Sequence, residues 1–465
     1  MAHRDADRGF GSDRIDRRTL TKGALGLTVS AALASAVPGS PAAAQDKTVI
    51  KFWTHTHPPM VELNKALVAD FMAANPDIEV QYEIIPNNEF ATKMLASMGT
   101  GTGPDIINMD DAQMRSTYIP KGLVQEVDPA NMGYGSLDEL KAAYIPTALE
   151  GSTVDGKVYG VPSEFNVTAM AVNDAAFTEV GLNPKAPPAD WAAVTEQGAK
   201  LVVKDGDTLT RRGFDFVYLH SGWYHNLFGT LLLQTGGRVV AEDGTTVTVA
   251  DAPSVEALHI WYDMIWKDPK IADPTVANQD ATVPYQDFID GKIAMTPFNP
   301  WGMGLITADS TVGDQWSIAP LPQKHPGAVG TPEATPVTAG GDGPVTPLYA
   351  YYWAVNALTT DEANKAAAFK FIGYISSFPG RWLKESSFIQ PKTGWEDSDE
   401  AKALPFFDVW SSEMLKGQFL PVTPAGEQVD TLMKSALEQS LLSGEDPQEA
   451  LDSVKPQIEA AIASS

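Results

Sequence analysis

Residues 48–110 constrain the fold most strongly. Thr48–Thr54 (TVIKFWT) alternates apolar and polar residues as a strand does, and Leu63, Leu67, Val68 and Phe71 then recur at helical spacing up to Asn75-Pro76. Ile78, Val80, Tyr82 and Ile84 alternate as a second strand, and Asn87-Asn88 can cap a helix running through Met98. Asp105–Asn108 makes a third strand, ending at the tip Asp110-Asp111. This β-α-β-α-β order predicts a doubly wound α/β sheet. The glycines of Gly99–Gly103 invite a nucleotide-binding reading, but a phosphate-binding loop follows a strand and opens a helix. Here helix precedes glycines and strand follows them, so a connecting turn is expected.

The first 44 residues read as an export signal. Asp16-Arg17-Arg18-Thr19-Leu20-Thr21-Lys22 has the twin-arginine pattern, Gly23–Val37 is an apolar run, and Ala42-Ala43-Ala44 is a small-residue cleavage site. The alternative, a membrane anchor, needs about 20 apolar residues and this run is shorter. With no cysteine in the chain, a lipid anchor, disulfides, thiol catalysis and cysteine metal sites are excluded. A periplasmic location and a free chain are expected. The formal charge of −26 over 465 residues deepens to −28 once the leader's six basic and four acidic residues go, which disfavours nucleic acid and anionic membranes as partners. The length predicts two lobes.

Later segments follow the same logic. Asp155-Gly156 and Asp243-Gly244 are hairpin turns, and Val158–Val161 runs into Pro162-Ser-Glu-Phe-Asn166, with Val167–Val172 a further strand. Asp190 and Asp251 are positioned to cap helices. In the aromatic stretch 214–233, Phe228 and Leu231 read as core, while Trp223 and Tyr224 sit beside Gly222 where side chains can project into a cleft. Phe288–Trp301 reads as a helix end at Gly291, a strand Lys292–Phe298, and a proline-broken tip bearing Asn299 and Trp301. Ligands collect at such strand ends, although Trp301 is equally readable as a core plug. Residues 328–347 form a long irregular loop, Tyr349–Val355 a buried strand, and Asp361–Ile375 and Pro447–Ile462 helices.

Gly291-Lys-Ile-Ala-Met-Thr with Asn299-Pro-Trp301 and Ser317-Ile-Ala-Pro-Leu-Pro322 resembles the lobe-closing signature of ABC-transporter solute-binding proteins of the carbohydrate class, the maltose-binding-protein-like family 1. Phe71–Val80, Gly103–Ile107, Asp155–Pro162, Gln234–Gly237 with Ser254–Leu258, and Asn364–Ile372 are similar to the same family in the same order. The resemblance implies a two-lobed periplasmic-binding-protein type II fold with discontinuous lobes joined by three hinge crossings, 45–163 plus 350–388 and 166–346 plus 391–465. It implies a sugar ligand in the cleft, ABC permease subunits as partners, a monomer, and backbone approach to ligand at Gly341. The departures are the missing anchor cysteine and the long loop at 328–347.

A sugar site needs flat aromatics for ring faces and planar polar groups for hydroxyls. Trp53, Trp223, Tyr224 and Trp301 are candidates for the first role, and His55, Asp110, Asp111, Asn166, Asn299 and Asp342 for the second. Trp191, Trp261 and Trp266 read as core. No nucleophile elbow, metalloprotease motif or phosphate loop is present, so no enzyme, cofactor or metal is expected. His55 and His57 with Asp110 or Asp111 make only a weak metal reading. The alternatives are a secreted glycosidase or lyase, whose carboxylate pair need not be close in sequence, and the same fold holding a polyol or glycerol phosphate.

Overall fold

The computed structural model describes residues 47–464 except 217–218, 220–222, 242, 274–282, 325–343 and 423–424. The leader, Gly341 and Asp342 lie outside the described residues, as does the side chain of Trp223. Strands β1 (Thr48–His55), β2 (Ile78–Ile85) and β3 (Ile106–Asp110) alternate with helices Pro58–Ala74 and Asn87–Thr100, and β1 pairs in parallel with both neighbours. The first helix starts where its sequence dictates. Two prolines fill its first turn, where amide donors have no helical partner, and the His57 side chain accepts from Met60 N at 3.4 Å. The glycine run is a turn: Gly101 closes the second helix at φ 71°, a conformation that other residues adopt at a cost.

β4 (Val161–Val167) is followed after one residue, Thr168, by β5 (Ala169–Asn173). β5 lies in a second sheet between β6 (Met295–Phe298) and β7 (Trp316–Ala319). The return strand β8 (Thr346–Val355) is antiparallel to both β3 and β4, and its first residues pair in parallel with β9 (Gly417–Phe419). One core gathers Phe52, Phe71, Trp353 and Trp382, and a second gathers Phe177, Phe228 and Trp261. The C-terminal region divides differently from the expectation that 391–465 lies in the second lobe. Ala401, Leu404 and Trp410 join the first core and β9 joins the first sheet, whereas Val429, Met433 and Val454 join the second core. The chain therefore passes from the first core to the second between Phe419 and Val429, Trp410 having its apolar cover in the first core.

Candidate functional site

The register of β4 against β8 sets Asn166 opposite Tyr349 and Glu164 opposite Tyr351, and β3 sets Asp110 opposite Tyr351 on the other side. Directly opposed antiparallel residues project to one face, so Glu164, Asn166, Tyr349 and Tyr351 form a single patch. His55, the last residue of β1, brings its ring 4.9 Å from that of Tyr351. Beyond it, His57 stands between Phe388 at 4.8 Å and Trp301 at 5.6 Å. Phe165 N donates to Ile389 O at 2.9 Å, which brings Gln390 beside the same strand.

This patch concentrates buried polar atoms without hydrogen-bond partners. Asn166 is 0 % exposed, and neither its Oδ1 nor its Nδ2 makes a well-aligned hydrogen bond, although the side chain approaches the Glu164 carboxyl and holds it down slightly. Glu164 Oε2, both amide atoms of Gln390, His55 Nδ1 and His57 Nε2 share that condition. Buried polar groups are paired in the great majority of cases, and each orphan costs about 1–3 kcal/mol. Such a group of orphans on one patch is suited to a polyhydroxylated ligand that supplies donors and acceptors together. Burial also sets the charges: it pushes Glu164 up to about 8 and holds His55 and His57 down at about 4 and 3, the latter helped by His55. At neutral pH the histidines are therefore neutral, and Glu164 is mostly protonated and able to donate.

Asp110 is half-buried and its Oδ1 accepts from Gln113 N at 2.9 Å. Burial, then the charge of Asp111, raises it to about 7, with a smaller push from Asp430 on helix Gly426–Leu437. Asp430 in turn accepts from Tyr224 OH at 2.9 Å and lies 3.1 Å from His225 Nε2.

Several expected contacts serve the scaffold instead. Asn299 accepts from Tyr285 OH at 2.5 Å and donates to Val167 O at 2.9 Å and Thr168 Oγ1 at 3.1 Å, so its hydrogen bonds are spent bracing the link between the sheets. Tyr224 was expected in a cleft but is buried in the second core, its hydroxyl held by Asp430. Asp111 is bound by Arg115 at 2.7 Å and by Ala350 N at 3.1 Å. Trp301 is packed as a plug, tilted on Tyr285 with ring centres 4.5 Å apart, while its Nε1 donates to Tyr349 OH. Trp53 is buried under the Lys93 ammonium, 4.9 Å from its ring. Trp191 and Trp261 are core, as read, and Trp266 is partly buried against the second core. Among the described residues no group of three His, Asp or Glu is placed to hold a metal.

Glu164, Gln390, Tyr349, Tyr351 and Asp430 escaped the sequence reading. A signal existed for three of them: Glu164 lies two positions from Asn166, and Tyr349 two from Tyr351, in mostly apolar strands, a period-2 polar stripe. Asp430 comes from a distant helix and had none.

The sequence matches the bacterial extracellular solute-binding protein family over residues 56–378. A Brucella abortus protein named only as a binding protein is 22 % identical over 94 % of this chain and 97 % of its own length. The maltotriose-binding protein of Pyrococcus abyssi is 23 % identical over 71 % of this chain and 63 % of its own. An ABC transporter solute-binding protein from Thermotoga lettingae, solved with α-D-tagatose, superposes with a TM-score of 0.75 at 17 % identity, over 90 % of this chain and all of that one. At that identity the superposition establishes the two-lobed fold alone.

Proposed function

Because the chain belongs to the family of bacterial extracellular solute-binding proteins, we propose that it is the exported capture component of an ABC importer, holding a sugar or oligosaccharide and delivering it to permease subunits. The family is one of binding proteins, and the chain is proposed to bind without turnover. The Glu164–Asn166 patch carries this reading, because its unpaired, buried, mostly uncharged polar groups match sugar hydroxyls and the adjoining tyrosines offer ring faces. The ligand contacts proposed are His55, Asp110, Glu164, Asn166, Tyr349, Tyr351 and Gln390. A lobe division with residues 391–419 moved to the first lobe, the leader at 1–44, its twin-arginine route and a monomeric state belong to the same proposal. Arg115 is engaged by Asp111 and by Leu420 O, which weighs against a glycerol phosphate.

Calorimetric titration of the purified protein with mono- and oligosaccharides, polyols and glycerol phosphates tests this. A saturable sugar complex from which the sugar is recovered unchanged, weakened about tenfold or more by Asn166→Ala, is expected. Consumption of the sugar would transfer the site to a glycosidase or lyase. Binding of glycerol phosphates alone would refute the sugar assignment.

A further inference from the structure

Next to this site, a cavity of about 90 Å³ is lined by Leu232, Leu233, Val240, Val345 and Leu420, with His225 at its rim. One wall is bare helix backbone. Gly229 approaches Leu420 so closely that a Cβ there would stand 2.6 Å from Leu420 Cδ1. The lining is mostly aliphatic, although Arg238 and Gln418 also reach it, so it offers water few partners and favours apolar molecules. The volume is several times that of one water and fits a short alkyl chain or a small ring.

Two chains of contact join the cavity to the Asp110 end of the patch. His225 Nε2 lies 3.1 Å from Asp430, whose charge acts on Asp110. Leu420 O accepts from Arg115 at 3.0 Å, and Arg115 holds Asp111 at 2.7 Å. The cavity thus lies within two contacts of Asp111 and one of Asp430, and a molecule reaching from it to the patch would be apolar at one end and polar at the other.

We propose that the cavity is an aglycone subsite, and that the ligand is a glycoside bearing a short alkyl or aryl group that passes His225 to lie against Leu232, Val345 and Leu420. This rests on the sugar reading above and adds what the sugar is attached to. The polar end would compete for hydroxyl partners at Asp110 and Glu164, while the apolar end contributes affinity by burial alone.

The test compares matched methyl and phenyl glycosides of glucose, galactose and maltose by calorimetry. Phenol alone is followed separately through the methyl resonances of Val345, Leu232 and Val240. We expect phenyl glycosides to bind at least about tenfold more tightly than methyl glycosides, equivalent to about 1.4 kcal/mol. Phenol should shift those methyl groups. Ala241→Phe, at a half-buried lining position, and Leu233→Phe, on the facing helix, should each bring the phenyl-to-methyl ratio close to one while leaving methyl glycoside affinity unchanged. If methyl and phenyl glycosides bind equally to the unaltered protein, the subsite is wrong and the sugar reading stands. A phenyl preference that survives both substitutions also overturns it, placing the aglycone elsewhere. If no glycoside binds yet phenol still shifts the methyl groups, the sugar reading fails and with it the aglycone role, leaving an apolar cavity only.

Discussion

Asn166 and Asn299 are the same residue type, both buried, at 0 % and 1 % exposure, and both lie near the joint between the two sheets. Asn299 has a well-aligned partner for each amide atom, whereas Asn166 has only a poorly aligned approach to the Glu164 carboxyl. The difference separates two uses of a buried amide. One braces the Val167 carbonyl and the Thr168 hydroxyl, and the other retains hydrogen-bonding capacity at a cost to stability of about 1–3 kcal/mol. Burial alone does not distinguish a brace from a contact, while satisfaction does.

The largest expected effect breaks or confirms that contrast directly. Asn299→Ala leaves Tyr285 OH without the partner it has here and removes a donor from Val167 O and from Thr168 Oγ1, which keeps Asn226, and should destabilise by about 2–3 kcal/mol in guanidinium unfolding. Asn166→Ala should change stability by less than about 1 kcal/mol and act on ligand affinity instead. Equal destabilisation by the two would erase the distinction. Next comes the pH dependence of the unliganded protein. Glu164 is raised to about 8 in the fold, so the folded state keeps a proton that the unfolded chain releases near the ordinary carboxylate range. Its stabilising effect is therefore full at acid pH and lost as pH rises towards 8, at up to about 1.4 kcal/mol per pH unit. His55 and His57, held down at about 4 and 3, act in the opposite sense, costing stability as pH falls below about 6.5. Subtracting the Glu164→Gln profile from that of the unaltered protein isolates the carboxyl. A flat difference between pH 5 and 8 would show that Glu164 is ionised and paired, and would remove it from the patch. The smallest effect concerns Trp53. Lys93→Ala should cost about 0.5–1 kcal/mol by removing the ammonium from the indole. Unchanged sugar affinity in that variant would keep Trp53 among the core residues, and a marked change would return it to the ligand contacts.

The β-α-β-α-β order, the cap at Asp190 and the hairpin at Asp155-Gly156 were legible because each depends on residues within a few positions of one another, whereas Asp251, read as a cap, precedes its helix without a side-chain cap bond. The site was legible only in part. His55, Asp110 and Asn166 are at strand ends or on a crossing strand, where local reasoning places functional groups. The satisfaction of Asn299 by a tyrosine fourteen residues earlier and a carbonyl at Val167 is set by tertiary contacts. The engagement of Asp430 with Tyr224 spans 206 residues, and no period or spacing records it.

Thr168 is the whole of the link between β4 and β5. It is fully buried, its carbonyl accepts from Thr346 Oγ1 at 2.7 Å, and its hydroxyl meets both Asn226 and Asn299. Mechanically, such a link is a stiff pivot with its bearing surfaces already in contact. Any rotation of one sheet against the other is taken up in the torsion angles of this residue and its neighbours, and each degree of turn works against hydrogen bonds converging from three separate segments. At this crossing the resistance to that turn is thus set by short-range bond geometry and not by the broad apolar surfaces on either side.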